Sequence, residues 1–170
     1  MNSANLERIL NSLVDPSKCT VLGVFPLDLI PMEMDRFPSC FIANTDASNM
    51  SGQHWVAYYF DSETDYEFFD SYGYPPDYYS LPFTSPSIFN MHSLQSNTSA
   101  VCGQFCLYYL NSKAMGFDMK SILHSFSLSN KSWNDKLVRK FVSQIKLPKR
   151  FYVNTNFNQI SDSFINFRRS

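Results

Sequence analysis

The sequence has no apolar run near the ~20 residues that a membrane-spanning helix needs, so we expect no transmembrane segment. Residues 1–8 also lack the basic start and the long apolar stretch of a signal peptide. We therefore expect an intracellular protein, in the nucleus or the cytoplasm. Its 170 residues, 44% hydrophobic and 17% charged, are typical of a globular chain, and we predict one domain over residues 1–170.

Cysteine and histidine are sparse, and their spacing argues against a structural metal site and against disulfides. There is no C-x-x-C pair, and three histidines without paired ligand spacing make a structural zinc site improbable. Four cysteines without a secretion signal are weak evidence for disulfides. Cys102 and Cys106 lie in one predicted helix, where they are badly placed to pair. We expect free thiols and neither a metal nor an organic cofactor.

Basic residues are scarce in residues 1–112, which hold three of them against twelve acidic residues, a net charge of −9. Residues 113–170 hold eleven basic residues against three acidic ones, a net charge of +8. This asymmetry indicates either a polyanionic partner for the C-terminal third, such as DNA, or packing of basic helices beside the acidic region. We favour the second interpretation on sequence grounds.

Hydrophobic periodicity predicts four helices. In chain order they are residues 3–14, 102–115, 118–126 and a segment that begins at Ser132. Gly116 is expected at the position just after the second helix, where glycine commonly ends helices. The pattern Ser132-x-x-Asp135 is typical of a helix cap.

Strands are predicted at residues 40–45, 53–60 and 66–69, and loops at 21–38 and 73–90. The last two strands flank a polar turn and form a hairpin. Because His54 starts one arm and Asp70 ends the other, antiparallel pairing brings them to the same end of the sheet. We predict an α+β fold with a mixed or antiparallel central sheet flanked by helices. Residues from 151 onward alternate polar and aromatic types and are assigned to no element.

A glutamine, Gln95, stands seven residues before Cys102, the first residue of a predicted helix. A thiol at a helix N-terminus is favoured as the thiolate, because the helix dipole and free N–H groups stabilise negative charge. Upstream, His54 supplies a base and Asp70 a carboxylate that could orient it. This order of residues leads to the hypothesis of a cysteine protease.

Cleaving an amide with cysteine requires a nucleophile, a base, a group that fixes the base and donors for the oxyanion. Cys102, His54 and Asp70 fill the first three roles. The side-chain amide of Gln95 and the backbone N–H of Cys102 could supply the donors. Three further residues are candidates for substrate binding: Gly52, Trp55 and Gly103. Of these, Gly103 would let a substrate backbone approach the start of the helix closely.

Taken singly, each of these residues has a simpler explanation. A cysteine at a helix start is usually a small buried hydrophobe. His54 could be a hydrogen-bonded structural histidine, Asp70 could begin a turn, and Gln95 could be a solvated loop residue. The catalytic interpretation rests on the joint pattern, in which all four residues follow one order.

Three segments carry a resemblance to a known family: Gly-x-His-Trp at residues 52–55, Phe-Asp-x-Tyr-Gly at 69–73 and Gln-x6-Cys-Gly-x-Phe-Cys at 95–106. They resemble the adenovirus-type cysteine proteases (adenain), which share their fold with the SUMO and ubiquitin-like proteases. The resemblance covers residues 5–118. The seven-residue step from Gln95 to Cys102 resembles adenain, whereas an aspartate at position 70 resembles the SUMO proteases.

The resemblance implies an endopeptidase that matures virion precursor proteins at glycine-containing sites, with protein substrates and a monomeric state. It also implies packaging in a virion, a DNA cofactor bound on a basic surface and an activating peptide. Residues 73–101 contain no cysteine, so we do not expect that peptide to be linked by a disulfide. Two alternatives remain at this point: a host-type SUMO or ubiquitin-like protease, and a catalytically silent binding module.

Overall fold

The computed structural model describes residues 1–147, which form an α+β structure with one five-stranded mixed sheet and four α-helices. What the sequence predicts for residues 148–170, including the tail that was assigned to no element, lies outside the described residues. The elements in chain order are α1 (Ser3–Leu13), β1 (Thr20–Phe25), β2 (Ser39–Asn44), β3 (Trp55–Phe60), β4 (Tyr66–Phe69), β5 (Ile88–Phe89), α2 (Cys102–Ala114), α3 (Met119–His124) and α4 (Lys131–Ser143). Single 3₁₀ turns cover Leu27–Leu29 and Pro76–Tyr79.

The strands lie side by side in sequence order from β1 to β5. The two outer pairs, β1 with β2 and β4 with β5, are parallel, whereas β2, β3 and β4 pair antiparallel. In the predicted hairpin, Ala57 lies opposite Phe69 and Phe60 opposite Tyr66. The start of β3 and the end of β4 are therefore at the same edge of the sheet.

Two strands lie where loops were predicted, and both predictions were wrong. β1 occupies part of the predicted loop 21–38, because its apolar run ends just before Pro26 and the later prolines fall outside it. Gly23, at φ +140°, marks an irregularity in its pairing with β2. β5 is a two-residue strand in the predicted loop 73–90, and only its pairing with β4 identifies it.

The three central strands are buried on both faces of the sheet, and their side chains are divided between two cores. Cys40 and Ile42 of β2 face a core shared with α1 and α2, whereas Phe41 and Ala43 face the opposite side. That second core is rich in aromatic residues and is closed by side chains from loops. Many of the chain's aromatic residues lie in this second core, where Phe41, Tyr58, Phe60 and Phe68 are fully buried.

Helix α2 is the central helix and packs against β3, α1 and α4. Gly116, at φ +93°, follows it as predicted. The predicted cap of α4 was wrong: Ser132 lies inside the helix, and the Asn130 side chain caps it by accepting from the backbone N–H of Trp133 at 3.0 Å. Among residues 1–147, no helix is long and apolar enough to cross a membrane.

Candidate active site

The hairpin brings His54 and Asp70 together, as the strand pairing predicts. His54 directly precedes β3 and Asp70 directly follows β4. His54 Nε2 donates a hydrogen bond to Asp70 Oδ1 at 2.5 Å. The histidine is 7% exposed and the aspartate is fully buried, so the pair is shielded from water.

Three further donors hold the carboxylate of Asp70. The backbone N–H of Tyr72 donates to Oδ1 at 3.0 Å, and that of Tyr74 donates to Oδ2 at 2.9 Å. The hydroxyl of Tyr79 donates to Oδ2 at 3.0 Å. A buried carboxylate needs such partners, because an unpaired charge in the interior is very costly. The sequence argument missed Tyr79, which belongs to a turn in a predicted loop.

Asn90 fixes the backbone of Asp70 and was also missed. Its Oδ1 accepts from the Asp70 N–H at 2.9 Å, and its Nδ2 donates to the Asp70 carbonyl at 2.5 Å. Asn90 is 1% exposed and follows β5 directly. The signal in the sequence was a polar residue straight after two apolar ones, but it has meaning only once β5 is known to pair with β4.

Cys102 is the first residue of α2 and is 8% exposed. Its side chain lies beside His54, and the two groups shift each other's pKa. Nε2 of that histidine is bound to Asp70. The backbone N–H groups of Trp55 and Gly103 also act to lower the pKa of the thiol. These donors, together with the positive end of the helix dipole, stabilise a thiolate.

The electrostatics of the site favour a thiolate–imidazolium pair. Burial acts to lower the pKa of His54, but the hydrogen bonds and charges of Asp70 and Cys102 outweigh it and raise that pKa to about 9. Burial acts to raise the pKa of Cys102, but His54 and the two backbone donors outweigh it and lower that pKa below its ordinary value. Both shifts favour transfer of the proton from the Cys102 thiol to His54.

Gln95 is fully buried in a network of its own beside this pair. The hydroxyl of Ser71 donates to its Oε1 at 2.7 Å. Its Nε2 donates to the Ser99 carbonyl at 2.7 Å and to the Tyr72 hydroxyl at 3.2 Å. The Tyr72 ring lies against His54 with their centroids 4.8 Å apart. Gln95 is thereby connected to His54 through one tyrosine.

The three predicted substrate-binding residues have different environments. Gly52 and Trp55 line a cleft of about 560 Å³, whose lining does not include His54, Asp70, Gln95 or Cys102. Gly52, at φ +78°, also lies where a Cβ would be 3.1 Å from the Asn44 side chain. At Gly103 a Cβ would be only 2.8 Å from Leu6 of α1, so the small size of this residue is needed for helix packing.

The remaining cysteines differ from Cys102 in their surroundings. All four are free thiols. Cys106 is fully buried and donates to the Trp55 carbonyl at 3.3 Å, and burial raises its pKa. Cys19 and Cys40 contact each other in the core below α1. No group of three or more metal-ligating side chains occurs within residues 1–147.

Comparison of the chain with protein-family models finds no match, and comparison with curated proteins finds none. The site must therefore be interpreted from its own geometry. That geometry places a thiol with a lowered pKa beside a histidine that is bound to a buried carboxylate, an arrangement of the kind that nucleophilic catalysis requires.

Proposed function

We propose that this protein is a cysteine endopeptidase with an adenain-like fold and a Cys102–His54–Asp70 triad. The observation that carries the proposal is the position of His54, which donates to Asp70 through Nε2 and lies close enough to the Cys102 thiol for each to shift the other's pKa. A structural histidine has no need of two such partners at a helix N-terminus. The resemblance of the local motifs to adenain supports the same reaction.

In the proposed reaction, the Cys102 thiolate attacks the carbonyl carbon of a peptide bond. A carbon–sulfur bond forms as the π electrons of the carbonyl move to oxygen. When the intermediate collapses, the carbon–nitrogen bond breaks and the His54 imidazolium gives its proton to the leaving amine. Asp70 keeps the imidazole in the orientation and tautomer that this transfer needs.

Water then releases the acyl group. Neutral His54 accepts a proton from the water as its oxygen attacks the thioester carbon, and the carbon–sulfur bond breaks to return the Cys102 thiolate. The oxyanion that forms in each step requires nearby donors. The backbone N–H of Cys102 belongs to the first turn of α2, where helix N–H groups lack helical partners, and we assign Gln95 to the same task.

We place the substrate in the cleft lined by Gly52 and Trp55. The resemblance to adenain suggests precursor proteins cut at glycine-containing sites, within a virus or a virus-like element. The aspartate at position 70 favours a second candidate, a protease of SUMO or ubiquitin-like proteins. Cleavage of such fusions without cleavage of capsid precursors would establish the second candidate instead.

Labelling with a thiol-reactive peptide probe tests the proposal directly. A peptide vinyl sulfone should label Cys102 and spare Cys106, because the pKa of Cys102 is lowered and that of Cys106 is raised. Cys102→Ala should abolish both labelling and peptide cleavage while thermal unfolding stays close to wild type. Mass spectrometry of the labelled peptide identifies the site.

Cys106→Ala is the matched control, four residues further along the same helix. It should keep labelling and turnover, although removing a buried side chain costs ~1 kcal/mol or more of stability. Folded wild-type protein that resists the probe under reducing conditions would point instead to a silent binding module. Equal labelling of both cysteines would contradict the assignment of the nucleophile.

A further inference from the structure

Residues 45–54 connect β2 to β3, and the loop that they form lies beside the candidate active site because His54 is its last residue. The N–H of Thr45 donates to the carbonyl of His54 at 2.9 Å, so the two ends of this loop are held together. Asp46 directly follows Thr45 in the chain. It is therefore one residue away from a direct contact with the backbone of His54.

Hydrogen bonds of the main chain fix the position of Asp46 in this loop. Its N–H donates to Asn44 Oδ1 at 2.9 Å, and its carbonyl accepts from the N–H of Leu27 at 3.0 Å. Two residues further along, the N–H and the hydroxyl of Ser48 both donate to the carboxylate of Asp28. None of these bonds uses the carboxylate of Asp46, so the side chain is not needed to hold the loop.

Asp46 lines the same cleft of about 560 Å³ as Gly52 and Trp55. Its side chain is half-buried. Among the described residues that line the cleft, Asp46 has the one charged side chain, and none of them is a lysine, arginine or histidine. The side chains of this cleft therefore give it a negative charge.

The carboxylate of Asp46 is not neutralised by the rest of the described chain. Neither of the two ion pairs within residues 1–147 includes it. Its Oδ2 is shielded from solvent and accepts no hydrogen bond from these residues. A carboxylate oxygen that is withdrawn from water without a donor is unfavourable. A ligand that brings a positive charge to this wall of the cleft would compensate for that cost.

We propose that this cleft binds a lysine or arginine side chain of an extended peptide and that Asp46 is the carboxylate that pairs with it. The inference deepens the proposed function and rests on it, because the peptide is the substrate of Cys102. Met50 and Trp55 line the same cleft and offer apolar surface to the aliphatic stem of the basic side chain. Since the loop contacts the backbone of His54, the basic residue lies near the bond that is cut.

Peptide binding to Cys102→Ala, which lacks the nucleophile, tests this pairing. The probes are fluorescein-labelled, glycine-containing peptides of one parent sequence, in which lysine, norleucine or glutamate replaces each residue in turn. Fluorescence anisotropy measures Kd. At one position of the peptide we expect lysine to bind about two- to fivefold more tightly than norleucine, as for a partly exposed ion pair. Glutamate should bind more weakly there, and the preference for lysine should shrink as the salt concentration rises.

Two substitutions of Asp46, each combined with Cys102→Ala, identify the acceptor. Asp46→Asn should remove the preference for lysine, and Asp46→Lys should reverse it in favour of glutamate. Both keep the N–H and the carbonyl that hold the loop, so thermal unfolding of Asp46→Asn should stay close to that of the parent. Glu63→Gln is the matched control, because Glu63 is an exposed acid in the turn at the opposite end of β3. It should leave the preference for lysine intact.

Equal binding of the lysine and norleucine peptides at every position, or no binding of any peptide, would overturn the inference. A preference for lysine that survives Asp46→Asn would also overturn it. Wild-type protein that cleaves these peptides without preferring lysine would contradict the inference and leave the protease function standing. Wild-type protein that prefers lysine through Asp46 but cleaves none of the peptides would support the inference and overturn the protease function.

Discussion

The charge on His54 depends on two neighbouring groups, Asp70 and Cys102. Its pKa is raised to about 9, against an ordinary value of 6.5, because the bonds to Asp70 and Cys102 outweigh its burial. Because the pKa of His54 is higher in the folded chain than in the unfolded chain, protonation of His54 stabilises the fold. This contribution is complete below the unfolded pKa of 6.5. That contribution is lost as the pH rises through about 9. The activity should also depend on whether His54 carries this proton.

We expect a bell-shaped dependence of kcat/KM on pH. The alkaline side should fall through about pH 9, because His54 then loses the proton that the leaving amine needs. The acid side should fall through the lowered pKa of Cys102, where the thiolate becomes protonated. Since the two groups interact, the two apparent values belong to the pair. Initial rates over the pH range, checked for reversible folding, measure the profile, and activity that still rises above pH 10 would contradict it.

At the scale of elements, the turn after β4 is held by close backbone contact. Gly73 has φ +78°, and its N–H donates to the Asp70 carbonyl at 2.9 Å. A Cβ at this position would lie only 2.7 Å from the backbone of His92. Two constraints therefore act on one residue: a left-handed conformation and a lack of space. The lack of space arises because the Asp70 turn packs directly against the segment after β5.

Gly73→Ala should destabilise the protein by more than ~2 kcal/mol and reduce activity, because the His92 backbone must move and the Asp70 turn moves with it. Gly116→Ala is the matched control: its φ is +93°, but a Cβ there meets nothing within 4 Å. It should cost only the ~1 kcal/mol of left-handed backbone. Chemical denaturation of both variants gives the comparison, and equal losses would exclude a steric effect of His92.

At the scale of the whole molecule, the two oppositely charged parts of the chain form few ion pairs with each other within the described residues. Among residues 1–147, the one lysine or arginine salt bridge joins Lys113 of α2 to Glu67 of β4 at 2.8 Å. Lys136, Arg139 and Lys140 of α4 are exposed. Ion pairs with the acidic part therefore neutralise few of the basic side chains in the described residues. We keep a polyanionic partner such as DNA as a proposal.

We predict that the protein binds duplex DNA at low salt and that the affinity falls steeply as the salt concentration rises. A plot of log K against the logarithm of the salt concentration should have a slope of about −0.9 for each phosphate contact. Replacing Lys136 and Lys140 with glutamate should weaken binding and reduce the slope. Lys18→Glu, an exposed charge in the acidic part, is the control and should have a smaller effect. Fluorescence anisotropy with labelled DNA measures both, and absence of binding at low salt would contradict the prediction.

Much of the candidate site could be predicted because its parts are marked locally. His54 and Asp70 lie at the ends of two strands joined by a short turn, so their proximity follows from hairpin geometry. Cys102 opens a helix that hydrophobic periodicity reveals. Tyr79 and Asn90 could not be found this way, because a tyrosine in a turn and an asparagine after a two-residue strand have no local signature.

The sequence by itself determined the central hairpin, the start of α2 and the order of the four polar residues, because turns, strand alternation and helix periodicity act between near neighbours. Only the tertiary structure decided which nitrogen of His54 binds Asp70, that Gly103 packs against Leu6, and that the Gln95 amide is bound to Ser99 and Tyr72. Those facts depend on contacts between segments far apart in the chain. Such contacts exist only after the sheet and helices have packed together.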